Sequence, residues 1–325
     1  MSDTTKIEWA HSTFNPWIGC TKVSPGCLNC YAEKETFTRA QRAQGRELWG
    51  KGQPRWRTSA ALWAKPHRWN EQEGGIRRAI CPKCGWRDSY LDVCPTPDCL
   101  TLGSEMAKER LRVFPSMCDW LDDEVPLEWL RDFLKLIQST PNLDWLLLTK
   151  RPENFWPRVR AVAAAWESSC EIARTWAVLG VAPRNVWFGF SAENSDLLWR
   201  RWGHAKLIPA CVTFISLEPL LGDIEGTLGT VICEAHTLRR TLWPIFGGES
   251  GRDARLCNVD WIRAGASRCR ESGVPCFVKQ LGARPYFDAK TPPLAGPIDL
   301  ELKHPKGGNW SEWPEDLRVR QFPAL

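Results

Sequence analysis

The sequence predicts an α/β protein built on a parallel sheet, and three observations predict it. Short apolar runs rich in β-branched and aromatic residues recur along the chain, segments with helical spacing separate them, and polar or charged residues follow most of the runs directly. A length of 325 residues permits two domains or one large barrel with insertions.

In order, the runs are LRVFP (111–115), LDWLLLT (143–149), NVWFGFS (185–191), VTFISL (212–217), LWPIFG (242–247) and VPCFVK (274–279). Their near-continuous apolar character fits strands buried on both faces. Between them, Leu127, Leu130, Phe133, Leu134 and Ile137 share one helical face over 126–139, and 258–272 is a second helix of this kind. The carboxyl ends of parallel strands open onto one crevice or barrel mouth, so the residues after the runs should converge there. These are Ser116 and Asp119, Lys150 and Arg151, Ser191, Glu193 and Asn194, Glu218, Glu249 and Lys279.

Two segments break the alternation. Residues 45–75 are basic, Trp-rich and punctuated by Gly and Pro, and 80–102 hold four cysteines. The chain therefore divides into a first strand, cysteine loop and first helix (1–44), an inserted lobe (45–105), the rest of the α/β unit (106–284) and an irregular tail (285–325).

With 43% apolar and 25% charged residues the composition is globular, and no apolar run approaches the ~18 residues of a membrane helix. The N-terminus lacks a secretory pattern, which predicts a cytoplasmic protein. Fourteen cysteines in a reducing compartment point to metal sites and buried thiols rather than disulfides. The net charge is only +5, yet residues 34–87 carry 13 Lys/Arg against four acids. Arg55, Trp56 and Arg57 lie in this stretch, where alternating cations and indoles suit phosphates and stacked bases. Equally, the indoles can pack the lobe onto the barrel and leave the cations solvated.

Cys20, Cys27 and Cys30 form a C-x6-C-x2-C triplet that follows a short extended stretch and opens a helix over about residues 29–42. Three thiolates suit a [4Fe–4S] cluster with one iron left open; the alternative is zinc completed by a residue such as His11 or Cys118. Cys81, Cys84, Cys94 and Cys99 have the paired spacing of a zinc knuckle or ribbon, whose metal would supply folding free energy to a small lobe. A second Fe–S cluster is the lesser reading. Gly247, Gly248 and Glu249 place a carboxylate at a strand end, where it can accept from an amine or a ribose hydroxyl, although a Gly-Gly turn needs no ligand.

The segments KIEWAHSTFNPWIGCTKVSPGCLNCYAE, RVFPSMCDWL, LLLTKRPENF, VWFGFSAEN, FISLEPLLG, IFGGESG and VPCFVKQLG, in that order, resemble a phage and prophage family noted for its three-cysteine motif. That family looks like a branch of the radical S-adenosylmethionine (radical SAM) superfamily. The resemblance implies a partial (β/α)6 TIM-like barrel with the cluster in the loop after the first strand. It further implies that S-adenosylmethionine binds the open iron and is cleaved by one electron to a 5′-deoxyadenosyl radical, which abstracts hydrogen from substrate. Cys20, Cys27 and Cys30 would hold the iron, with Tyr31 near the adenine and Ser191, Glu193, Asn194 and Glu218 on the methionine and ribose groups. Lys150, Arg151 and Lys279 would face carboxylate or phosphate.

Two departures stand out. The first cysteine gap is six where the superfamily has three, and Gly-Gly-Glu follows the sixth strand rather than the second, so Ser116 and Asp119 are expected to take over the amine-binding role. The leading expectation is a radical SAM enzyme acting on a nucleic acid or nucleotide, in base modification or repair. Its partners would be a reductase or other electron donor, in a bacterial or phage-infected host, with the need for a partner protein left open. The alternative is a non-catalytic, zinc-dependent nucleic-acid-binding protein on a barrel scaffold.

Overall fold

The computed structural model describes residues 3–36, 46–81, 83, 87–88, 93–96, 98–99, 101–102, 107–166, 169–289 and 296–324. Along the chain run β1 (Ser12–Thr13), β2 (Trp17–Ile18), α1 (Tyr31–Thr36), β3 (Trp56–Arg57), α2 (Ala60–Trp63), α3 (Lys65–Glu71), β4 (Ile76–Ile80), β5 (Arg87–Asp88) and β6 (Ala107–Phe114). Then come α4 (Leu127–Ser139), β7 (Leu143–Thr149), α5 (Phe155–Ala165), α6 (Glu171–Ala177), β8 (Val186–Ser191), α7 (Ser195–Ala205), β9 (Val212–Leu217) and α8 (Glu225–Thr237). The chain closes with β10 (Thr241–Gly247), β11 (Cys257–Asn258), α9 (Val259–Glu271), β12 (Phe277–Gln280), β13 (Pro285–Ala289) and β14 (Gly296–Asp299).

Seven strands, β1, β6, β7, β8, β9, β10 and β12, pair in parallel in that order and curl into a half-barrel. The two-residue period of a strand explains why each apolar run is buried on both faces. On β7, Leu143, Trp145 and Leu147 join the helix-side core with Phe133 and Ile137 of α4. Leu146 and Leu148 point the other way, into a cluster with Trp9, Phe114, Trp187, Phe214 and Trp243. Rings fill that concave side: Trp9 stands 4.5 Å from Phe114, Trp187 5.6 Å from Trp243, and Trp243 5.0 Å from Phe322. With the interior plugged by indoles, the space left for chemistry is at the carboxyl-end mouth.

The basic, Trp-rich segment does not stand apart. β3 pairs with β2, Trp69 is buried in the helix-side core, and Arg57 stacks 4.3 Å from the Trp63 ring. β4 adds antiparallel to the first half of β6, with Ile76 opposite Arg110. The tail is also more ordered than expected. β13 and β14 form a hairpin beside β11, and Trp313 and Leu317 are buried in the core. The Val278 amide donates to the Val319 carbonyl at 2.7 Å, so the tail covers an otherwise open strand edge. No helix among the described residues is long and apolar enough to cross a membrane.

Candidate metal centre

Cys20, Cys27 and Cys30 line one cleft of about 640 Å³ at the barrel mouth. Between the first two, Pro25–Cys27 forms a single 3-10 turn, closed by the Cys27 amide donating to the Ser24 carbonyl at 2.9 Å. Cys30 precedes α1, and its carbonyl accepts from the Lys34 amide at 3.1 Å. Residues 37–45, the rest of the expected first helix, lie outside the described residues. Leu48 and Trp49 are buried beside Ala32, and Trp56 packs there with Cys20 and Cys30, so indoles cover one side of the cysteine loop. Trp56 is half-buried against this cluster, and Trp49 is the indole that lines the cleft.

Tyr31, Ser116, Asp119, Lys150, Arg151 and Ser191 share this cleft, as their positions at strand ends predict. Lys150 Nζ donates to Ser191 Oγ at 3.2 Å, and the Tyr31 hydroxyl donates to the Ser116 carbonyl at 2.5 Å. Asp119 is fully engaged. It accepts from the Thr149 hydroxyl (2.6 Å), the Lys150 and Leu121 amides (2.9 and 3.1 Å) and Arg151 Nη1 (2.9 Å), which leaves it no acceptor site for a ligand amine. Arg151 Nη1 also lies 3.4 Å from Cys20 Sγ, and Nη2 donates to the Thr21 carbonyl at 2.6 Å. Burial pushes the Cys20 thiol up to about 12; Asp119 adds to this and Arg151 opposes it. Cys118 lines the same cleft, its thiol likewise raised by burial. His11 instead accepts from the Arg112 amide at 2.9 Å, away from the cleft.

The remaining strand-end residues act as struts. Glu193 is buried, ion-paired to Arg201 at 3.0 Å, and accepts from the Ser24 hydroxyl at 2.7 Å. A Cβ at Gly26 would lie 2.2 Å from Glu193 Oε1, so only glycine lets the loop sit this close. Asn194 caps α7, accepting from the Leu197 amide at 3.0 Å. Glu249 is held by Arg255 (2.6 and 2.9 Å) and accepts from Asn29 Nδ2 at 3.1 Å. Burial opposes its charge, yet Arg255 and Asn29 keep it below the ordinary carboxylate range. Arg255 Nη1 reaches the Pro25 carbonyl at 2.9 Å as well. Glu218 pairs with Lys279 at 2.6 Å and accepts from Gln280 at 3.1 Å. Gly247 and Gly248 allow close packing there, since a Cβ would lie 3.2 Å from the Glu218 side chain and 2.3 Å from the Leu281 carbonyl.

Arg55 and Arg57, expected on phosphate, are likewise occupied. The Arg55 side chain is fully buried between Asp122 (2.7 Å) and Glu124 (2.8 Å), and Arg57 bonds Asp132 at 2.8 Å. Ser24, Asn29, Trp49 and Arg255 are functional neighbours that sequence reasoning missed. The first two at least lie inside the cysteine motif, whereas Arg255 had no local signal.

The second cysteine group is tighter. Cys81, Cys94 and Cys99 are buried with all their sulfurs within 4.8 Å of one another, and Cys81 Sγ is 3.5 Å from Cys99 Sγ, so the group could hold a metal ion. The Cys94 amide donates to the Thr101 carbonyl at 2.9 Å and the Cys99 amide to the Thr96 carbonyl at 3.0 Å, closing the turn that gathers two of the thiols. Cys84 lies outside the described residues.

No curated protein and no solved structure matches the chain. A family profile matches residues 4–300, from ahead of the first strand through the C-terminal hairpin, and the chain belongs to that family, described as a protein of unknown function (DUF5131).

Proposed function

We propose that the protein is a radical SAM enzyme, with Cys20, Cys27 and Cys30 as the ligands of a [4Fe–4S] cluster at the barrel mouth. The observation that carries this is the gathering of the three motif thiols, with Cys118 beside them and with the Asp119 carboxylate already engaged by Arg151 and Thr149, on one cleft at the carboxyl ends of parallel strands. The donor set fits a cluster better than zinc. Zinc–sulfur bonds of about 2.3 Å bring thiolates to about 3.8 Å from one another. Among the described residues, Cys81, Cys94 and Cys99 meet that spacing as a set and the triplet does not. Cluster thiolates sit on separate irons and stand wider.

When bound, the cluster supplies one-electron reduction of S-adenosylmethionine, with electrons from a reductase or another donor protein. Arg151 places its positive charge against the Cys20 sulfur and favours the thiolate. Trp49 and Trp56 pack against one side of the loop, and Glu193 and Glu249 hold it at two points, through Ser24 and Asn29. Lys150, Ser116 and Ser191 are the polar groups facing the cleft that remain for the sulfonium's amino acid part or for substrate. We assign zinc to Cys81, Cys94 and Cys99, with Cys84 as the fourth ligand, as a structural ion. Because Arg55 and Arg57 are paired internally, the Trp-rich segment lends no support to the nucleic-acid-binding scaffold reading. Anaerobic reconstitution with iron and sulfide, then reduction with S-adenosylmethionine present, should yield 5′-deoxyadenosine. Absence of both cluster absorbance and nucleoside would refute the enzyme reading.

A further inference from the structure

The cysteine cleft does not end at the cysteines. A second hollow of about 650 Å³ adjoins it, sharing Val23 and Lys150, and is walled by Glu153, Arg200, Arg201 and His204. It lies between the cysteine loop, the 152–154 turn and α7. Its basic side chains are not equivalent. Arg201 is taken by Glu193 and by the Ser191 carbonyl at 2.8 Å. The side chains of Arg200 and His204, one helical turn apart and both exposed, make no hydrogen bond or ion pair among the described residues. Lys150 Nζ meets the Ser191 hydroxyl and, among the described residues, no carboxylate. The one acid in the wall among the described residues, Glu153, is exposed. Unpaired cations on a convex surface are ordinary. Here Arg200 and Lys150 line a concavity that shares Val23 and Lys150 with the cysteine cleft, so their positive charge converges on one space.

We propose that this hollow binds a phosphate group of the substrate, so that the reacting part extends past Lys150 to the cysteines. The guanidinium fork of Arg200 suits bidentate phosphate contact, and His204 and Lys150 supply further donors. The substrate class is thus a phosphate-bearing molecule, a free nucleotide or a nucleic-acid strand. Its role as substrate rests on the proposed radical chemistry, whereas the anion site itself does not.

The test titrates the reconstituted protein at low salt with inorganic pyrophosphate, a nucleoside monophosphate and a short fluorescein-labelled DNA single strand. Arg200→Ala and the Arg200→Ala/His204→Ala double variant are run beside it, with cluster absorbance and melting temperature read on the same samples. Both side chains are exposed and alanine suits a helix, so the fold should survive. Expected is binding that weakens with salt and falls about tenfold on removal of Arg200, and further in the double variant. Binding of the monophosphate names a free nucleotide; binding of the strand alone names a polymer. No binding in any arm, or binding unchanged in the double variant, overturns the proposal. Missing cluster absorbance with charge-dependent binding intact overturns the cluster reading and leaves this one standing.

Discussion

Arg151 Nη1 lies 3.4 Å from the sulfur of Cys20 and 2.9 Å from Oδ2 of Asp119. One buried cation thus ties the first cysteine to a carboxylate at the end of the neighbouring strand. Arg151→Ala should cost about 3–5 kcal/mol, because it leaves Asp119 buried without its counter-charge. It should also lower the iron retained per chain, with Arg151→Lys intermediate, since lysine keeps the charge and loses the fork. Iron analysis and denaturant unfolding check both. Full iron content in Arg151→Ala would make the contact incidental.

The Ser24–Glu193 bond is expected to set the position of Cys27. Ser24→Ala removes one bond to a charged acceptor, worth about 1.5–3 kcal/mol, and should speed maleimide labelling of Cys27 in metal-free protein. Glu193→Ala also strands Arg201 and should be the more destabilising of the two. Equal labelling rates in wild type and Ser24→Ala would argue that the loop holds its shape unaided.

The two cysteine groups should be separable. Cys94→Ser is expected to lose the metal of the tight site and expose residues 81–102 to proteolysis, while iron uptake at the triplet persists. Zinc and iron counts on one preparation decide this. Parallel loss of both metals would mean that the sites fold as one.

Asp144 offers a pH test independent of metals. Burial pushes its carboxyl up to about 6 from an ordinary 3.8, against the pull of Arg110 and Arg112. A raised folded-state value means that the native state favours the protonated form. Its contribution to stability is therefore present below about pH 4 and lost as pH rises through about 6. Asp144→Asn should remove that slope and, at neutral pH, exceed the wild type by up to about 3 kcal/mol. Urea unfolding of both proteins across this range reads the difference; parallel curves would contradict it.

Much of the scaffold was legible because the barrel strands are apolar on both faces. The run at 143–149 is β7 to the residue, and of the expected helical face Leu130, Phe133, Leu134 and Ile137 are buried in α4, with Leu127 half-buried and Leu136 added. The cysteine loop was legible because its three cysteines are close in sequence. What the sequence could not show was the destination of charges. Glu193 and Glu249 look like ligand carboxylates until Arg201 and Arg255 are seen against them, and Arg255 carries no motif. Arg55 and Arg57 look free until Asp122, Glu124 and Asp132 fold back from dozens of residues away. The tail's anchor, Trp313, sits in a stretch without periodicity.

Anomalous diffraction at the iron and zinc edges from anaerobically prepared crystals tests the central claim most directly. The account predicts iron density held by the sulfurs of Cys20, Cys27 and Cys30, with one iron lacking a protein ligand, and a separate zinc peak at Cys81, Cys94 and Cys99. A single ion with four protein ligands at the triplet, or no metal shared by those three sulfurs, would contradict it.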